Sequence, residues 1–253
     1  MGIVEKFRLD GRVTVVTGAS SGLGVAFAHA FAQAGSDVVI AARRVTKLQH
    51  TADMIARTGR EPLVVATDIA DPAQAQHMIG AAMSRFGRVD VLINNAGVGT
   101  ALPAIYETPK DFRNVIDINL NGAYWAAQAC GRVMRPGSAI INISSVLGLT
   151  TAGLPQAAYS ASKAAIMGLT RDLAQQWGSR KGIRVNAIAP GFFESEMTSQ
   201  YQLGYLNSLA PRILLGRLGD PQELSATAVW LASDAAGYVT GQTIVVDGGV
   251  TIT

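Results

Sequence analysis

Short apolar runs alternate with longer segments of helical periodicity almost to the end of the chain. Arg12–Thr17, Asp37–Ala41, Pro62–Ala66, Val89–Ile93, Ala139–Ile143, Ile183–Ala189 and Thr243–Val246 are brief and rich in β-branched residues. Runs this apolar suit strands covered on both faces, as in a parallel sheet between two helix layers. The intervening segments open like helices. Asp71-Pro72, Thr108-Pro109 and Asp220-Pro221 each put a capping side chain before a proline at the first helical position. Glu223, three residues after Asp220, completes a capping box. The alternation predicts an α/β fold: one doubly wound domain of Rossmann type over residues 1–253, with a seven-stranded parallel sheet flanked by helices. The stretch Phe192–Leu218 is longer than an ordinary connection and is expected to act as a lid over a site.

The first strand runs into Thr17-Gly18-Ala19-Ser20-Ser21-Gly22-Leu23-Gly24. Gly18 permits a tight turn, Gly22 lets backbone approach a pyrophosphate, and Gly24 lets the next helix lie close to the sheet. That helix would offer its unpaired N–H groups and positive dipole end to phosphate. The spacing is GxxxGxG rather than the GxGxxG form of the general dinucleotide fingerprint. The second strand ends in Ala42-Arg43-Arg44. An acid in this region takes the ribose hydroxyls of NAD, whereas arginine accommodates a 2′-phosphate. The missing acid and the planar fork of Arg43 therefore favour NADP(H), with NAD(H) as the other choice. Both arginines also read as ordinary solvated loop residues.

Composition narrows the field. Of 253 residues, 49% are hydrophobic, and the formal net charge is +3 without any basic run, so nucleic acid is not an expected partner. The lone cysteine, Cys130, cannot form an internal disulfide, which favours a reducing, cytoplasmic setting. His29, His50 and His77 lie far apart, so no metal site is expected. No leader-like or membrane-spanning segment is expected either.

Tyr159 and Lys163 are four residues apart and share one face of a helix pattern. A tyrosine pKa near ~10 must fall by about 3 units, or ~4 kcal/mol, for acid–base work near neutrality. One lysine charge at ~5 Å in an effective dielectric of ~20 supplies about 3 kcal/mol. A second positive charge nearby, such as an oxidised nicotinamide, would supply the rest.

Taken together, Thr17–Gly24, Asn94-Asn95-Ala96-Gly97, Asn119, Ser145, Tyr159/Lys163, Pro190-Gly191 and Gly241-Gln242…Asp247-Gly248-Gly249 resemble the short-chain dehydrogenase/reductase family over nearly the whole chain. The general style is similar to ketoreductases and 3-oxoacyl-(acyl-carrier-protein) reductases. The resemblance implies an NAD(P)-dependent oxidoreductase that moves a hydride between a nicotinamide and a ketone or secondary alcohol. Tyr159 would be its acid and base. Lys163 would bind the nicotinamide ribose and lower the tyrosine pKa. Ser145 would hold the carbonyl oxygen, with Ser144 as the competing choice, and Asn119 would hold a water that links Lys163 to solvent. Gly18, Ser20, Ser21, Gly22, Leu23, Gly24 and Arg43 would bind the phosphate-bearing part of the cofactor, and Asp68 and Ile69 would meet the adenine. Asn95, Ala96 and Gly97 would line the cleft, whereas Asn94 would tie strands together. Pro190, Gly191, Phe193 and Ser195 would complete the cofactor site. Ser195 stands where the family often has a threonine, and it keeps the hydroxyl.

An NAD-dependent alcohol or sugar dehydrogenase is the alternative enzyme, and a cofactor-sensing regulatory protein is the alternative of another class. Leu147, Leu149, Leu154, Phe192, Tyr201, Tyr205 and Leu206 are candidates for an apolar substrate wall. Arg132, Arg135, Arg180 and Lys181 read either as a landing site for an acyl-carrier protein or as solvated helix ends. The family also implies a homotetramer, for which the small-residue stretches Tyr124–Ala129 and Ala161–Leu169 are suited to close helix approach. The apolar ending Val250–Thr253 would serve it as an interface strand.

Overall fold

The computed structural model describes residues 2–193, 208 and 210–253. Ser195, Tyr201, Tyr205 and Leu206 lie outside them. Seven parallel strands form one sheet: β1 (Val13–Thr17), β2 (Asp37–Ala42), β3 (Leu63–Ala66), β4 (Val91–Asn94), β5 (Ala139–Ile143), β6 (Arg184–Pro190) and β7 (Thr243–Val246). Their order is β3-β2-β1-β4-β5-β6-β7. All seven strands expected from the sequence are present, with no end displaced by more than two residues.

Helices cover both faces. On one side α1 (Gly22–Gln33), α2 (Val45–Ala56) and α7 (Pro221–Ala232) bury Phe27, Phe31, Leu48 and Leu224 against the sheet. On the other, α3 (Pro72–Phe86), α5 (Gly122–Val133) and α6 (Ala157–Lys181) bury Met78, Ala126, Cys130 and Leu173. The three Pro-marked helix starts are capped as the sequence predicts. Asp71 accepts from the Ala73 N–H, and Thr108 and Asp220 form capping boxes with Asp111 and Glu223. The short helix α4 (Pro109–Ile116) passes into α5 through one π turn, Asp117–Asn121, which contains Asn119. Such turns recur at functional sites.

The order in which strands are added to the sheet reverses between β1 and β4, which opens a crevice beyond the carboxyl ends of those strands. The feet of the expected lid meet there. Phe193 bridges Gly219, and the Gly219 N–H donates to the Phe192 carbonyl at 3.0 Å.

The expected interface strand at the C-terminus is not a strand. Val250–Ile252 is a 3-10 turn. The Asp247 carboxylate accepts from the Gly249 N–H, the Thr251 N–H and the Thr251 hydroxyl, and these bonds curl the chain back just past β7. No helix among the described residues is long and apolar enough to cross a membrane.

Candidate active site

The crevice is lined at one end by the loop after β1. Gly18 has φ +67°, and a Cβ there would lie 2.7 Å from Ala96 Cα. A Cβ on Gly24 would lie 2.2 Å from the Gly18 carbonyl oxygen. These two glycines let the first turn of α1 pack directly on its own loop. The β4 end clamps that loop. Asn95 Nδ2 donates to the carbonyls of Thr17 and Gly18, at 3.0 and 3.3 Å. Thr17 Oγ1 accepts from the N–H groups of Asn95 and Ala96, at 3.1 and 3.0 Å. Asn94 instead ties β4 to its neighbours, donating to Asn142 Oδ1 and the Ala123 carbonyl at 2.9 Å each.

Ser20, Ser21, Gly22 and Leu23 face the same crevice, as do Arg43, Asp68 and Ile69. Ser21 precedes α1 without a side-chain cap, and no acid stands in the helix's first turn. The first-turn N–H groups are therefore well disposed to accept an anion. A contact invisible to sequence reasoning completes this end. Arg44 Nη2 donates to Ser21 Oγ at 3.0 Å and to Ser20 Oγ at 3.4 Å. Arg43 is exposed beside it. The donor set (backbone N–H groups, hydroxyls and two guanidinium groups, with no carboxylate at the end of β2) fits the phosphates of a dinucleotide.

At the other end, β5 and α6 meet. Tyr159 and Lys163 are one turn apart on α6, and both are buried, at 8% and 5% exposure. The Lys163 ammonium lies 5.6 Å from the Tyr159 ring centroid. Its Nζ donates to the Ile143 carbonyl at 2.7 Å, and burial pulls its pKa down to about 8. Ser144 and Ser145 follow β5. The Ser144 hydroxyl donates to the Lys163 carbonyl at 2.6 Å, so its hydrogen is committed to α6. Ser145 Oγ accepts from the Leu147 N–H at 3.1 Å, an arrangement that leaves its hydrogen for another partner.

The Asn119 side chain is tied into the scaffold. It accepts from the Val98 N–H at 2.8 Å and donates to the Val98 carbonyl at 2.9 Å and to Ser162 Oγ at 3.0 Å. Ser162, which sequence reasoning passed over, is fully buried and donates to the Tyr159 carbonyl at 2.7 Å. Its position between Tyr159 and Lys163 was the available signal. Gly97, Pro190 and Gly191 line the crevice. Phe193 borders it, but its ring packs against Gly219 in the core.

A phosphate-binding crevice, two arginines and a buried Tyr–Lys pair on one parallel sheet define a dinucleotide-dependent oxidoreductase site. Residues 18–251 match a family model described as enoyl-(acyl carrier protein) reductase. The chain is 37% identical over 252 residues to the 2-dehydro-3-deoxy-D-gluconate 5-dehydrogenase of Dickeya dadantii, covering 98% of each. Its fold superposes with a TM-score of 0.95 on a short-chain type dehydrogenase/reductase from Mycobacterium marinum, at 33% identity and full coverage of both chains. It also superposes, with a TM-score of 0.91, on a gluconate 5-dehydrogenase from Burkholderia cenocepacia in complex with NADP and tartrate, at 35% identity over all of both chains. The chain belongs to the short-chain dehydrogenase/reductase family, and it is an oxidoreductase of the CH–OH/C=O class.

Proposed function

We propose that the protein reduces a ketone to a secondary alcohol, and oxidises the alcohol in the reverse direction, with NADP(H) as cofactor and Tyr159 as acid and base. The observation that carries this reading is the convergence of Ser145, Tyr159 and Lys163 in the same crevice as the phosphate loop. NADP(H) is favoured over NAD(H) because the crevice holds Arg43 and Arg44 where an acid would serve NAD. The Burkholderia neighbour, crystallised with NADP, supports that choice.

When bound, the nicotinamide supplies or accepts the hydride. The chain's own residues do the rest. Gly18, Ser20, Ser21, Gly22, Leu23 and Gly24 hold the phosphates, Arg43 takes the 2′-phosphate, and Asp68 and Ile69 flank the adenine. Asn95, Ala96, Gly97, Pro190, Gly191, Phe193 and Ser195 complete the cofactor site. Ser145 donates to the substrate oxygen, because the Ser144 hydrogen is already given to α6. Tyr159 delivers the proton to that oxygen. Lys163 stabilises the resulting phenolate and binds the nicotinamide ribose, and at neutral pH it remains mostly charged despite its burial. The π turn holds Asn119 beside Val98, and a water held by Asn119 reconnects Lys163 to solvent. The lid expected at residues 192–218 lies largely outside the described residues.

The assembly is a homotetramer in the cytoplasm. Val245 on the edge strand β7 and the exposed Tyr238 and Ile252 nearby in the chain leave apolar surface for one interface.

Deuterium transfer tests the reading. With NADPH carrying deuterium at both C4 positions, the product alcohol should carry deuterium on its carbinol carbon. NADPH consumption without deuterium in the product would contradict it.

A further inference from the structure

The proton-donor end of the crevice differs sharply in charge from the cofactor-phosphate end. Tyr159 is packed in an apolar cluster with Val146, Leu147, Ala152, Phe192 and Ile213. Of these, Val146, Leu147 and Phe192 face the crevice alongside the tyrosine. Among the described residues, the cations lining the crevice are Arg43, Arg44 and Lys163. The two arginines follow β2, and β5, which leads to Ser145, lies three strands away. At the usual strand spacing that is about 14 Å, too far for either arginine to pair with a group held at Tyr159. Lys163 Nζ is bonded to the Ile143 carbonyl and lies beside the Tyr159 ring. Arg212 is exposed and does not line the crevice, and Arg217 is held in a two-bond pair by Glu223. The sequence from Glu194 to Leu209 contains two glutamates and no Lys, Arg or His.

A carboxylate brought to this end would lose its water against Leu147 and Phe192. The one cation near it, Lys163, is already bonded to the Ile143 carbonyl and, on the proposed function, given to the ribose and the phenolate. The charge would be poorly compensated, which is disfavoured. We propose that the substrate is an uncharged ketone with an apolar substituent lying against Leu147 and Phe192. Carboxylate-bearing sugar acids, the class in the names of the Dickeya and Burkholderia relatives, are then rejected. This proposal rests on Tyr159 marking the substrate end. The reaction balances as a two-electron reduction. The carbonyl carbon takes a hydride from NADPH, the carbonyl oxygen takes a proton from Tyr159, and solvent restores that proton.

The test uses the purified wild-type protein with NADPH and matched pairs of ketones. Alkyl, aryl and cyclic ketones are each set against the same skeleton carrying a carboxylate, for instance acetophenone against 4-acetylbenzoate, and 5-keto-D-gluconate is added as a sugar acid. The uncharged member of each active pair should have a kcat/KM at least a hundredfold above its carboxylate partner, and above the sugar acid. Equal or reversed ratios would overturn the charge-exclusion proposal and leave the oxidoreductase reading standing. No turnover of any member with either cofactor would overturn the ketone-reduction reading itself, and this proposal with it. Leu147→Lys provides a converse measurement in the folded variant: the preference for the uncharged partner should shrink at least tenfold, and an unchanged preference would show that Leu147 does not face the substrate.

Discussion

Lys163 donates from Nζ to the carbonyl oxygen of Ile143 at 2.7 Å, which joins the second turn of α6 to the last residue of β5. The bond fixes the ammonium beside the Tyr159 ring. It also commits one of its three hydrogens, leaving two to serve other partners. The charge has been carried into the protein at a cost set by desolvation, and that cost makes the first prediction.

The folded pKa of Lys163, about 8, lies below its ordinary 10.5. Below pH 8 both folded and unfolded chains hold this proton, and the penalty for the buried charge is fully present. Between about 8 and 10.5 the native state releases the proton first, so the unfolded state binds more protons and stability rises with pH. Above that window both forms are neutral and the penalty is gone. The gain is on the order of 3 kcal/mol. Urea unfolding of the cofactor-free protein and of Lys163→Met across this range should show it as a difference in slope. Parallel curves would show that Lys163 is not desolvated as described.

Arg43→Ala should weaken NADPH binding much more than NADH binding. A charge-assisted contact to phosphate is worth about 1.5–3 kcal/mol, or roughly 10- to 150-fold. Arg44→Ala should behave differently, because Arg44 Nη2 is bonded to the loop serines that both cofactors need. It should weaken NADH and NADPH by similar, smaller factors. Fluorescence titration with each cofactor distinguishes the two patterns. Equal losses for both cofactors in Arg43→Ala would make Arg43 a solvated loop residue.

Ser162→Ala should leave cofactor affinity within about twofold while kcat drops about tenfold. The change removes the acceptor for Asn119 Nδ2 and the donor to the Tyr159 carbonyl. Buried groups left unpaired cost about 1–3 kcal/mol, which loosens the join between the π turn and α6. Cofactor titration alongside steady-state kinetics checks it. A variant with unchanged kcat would assign Ser162 to packing alone.

Much of this was legible beforehand because the sheet is buried on both faces. Runs such as Ala139–Ile143 then read as strands without ambiguity, and Asp-Pro or Thr-Pro pairs mark the helix starts. The Tyr159/Lys163 pair was legible because a four-residue spacing survives in any helix. The contact of Arg44 with Ser20 and Ser21 was not, because it depends on how two loops from different strands approach each other. The anchoring of Asn119 by Val98 and Ser162 was hidden for the same reason. The C-terminal ending misled because Val250–Thr253 has β-branched composition, whereas the Asp247 carboxylate captures the N–H groups that a strand would have needed.

Sedimentation at micromolar concentration should show a tetramer. Tyr238 and Ile252 are almost wholly exposed in the single chain, at 105% and 80%, and an interface would cover apolar surface of this kind. A sole species at the mass of one chain would refute the assembly.

The proton assigned to Tyr159 is tested most directly by Tyr159→Phe, measured in two ways on the same preparation. The ring packs with Val146, Leu147 and Phe192, so the phenylalanine variant should fold and bind NADPH much as the wild type does. General acid–base groups contribute about 10²–10⁴ in rate, and ketone reduction by the variant should fall by that factor. Retention of more than about a tenth of wild-type kcat, with NADPH binding intact, would contradict the role of Tyr159, since a lost acid cannot leave so much of that contribution in place.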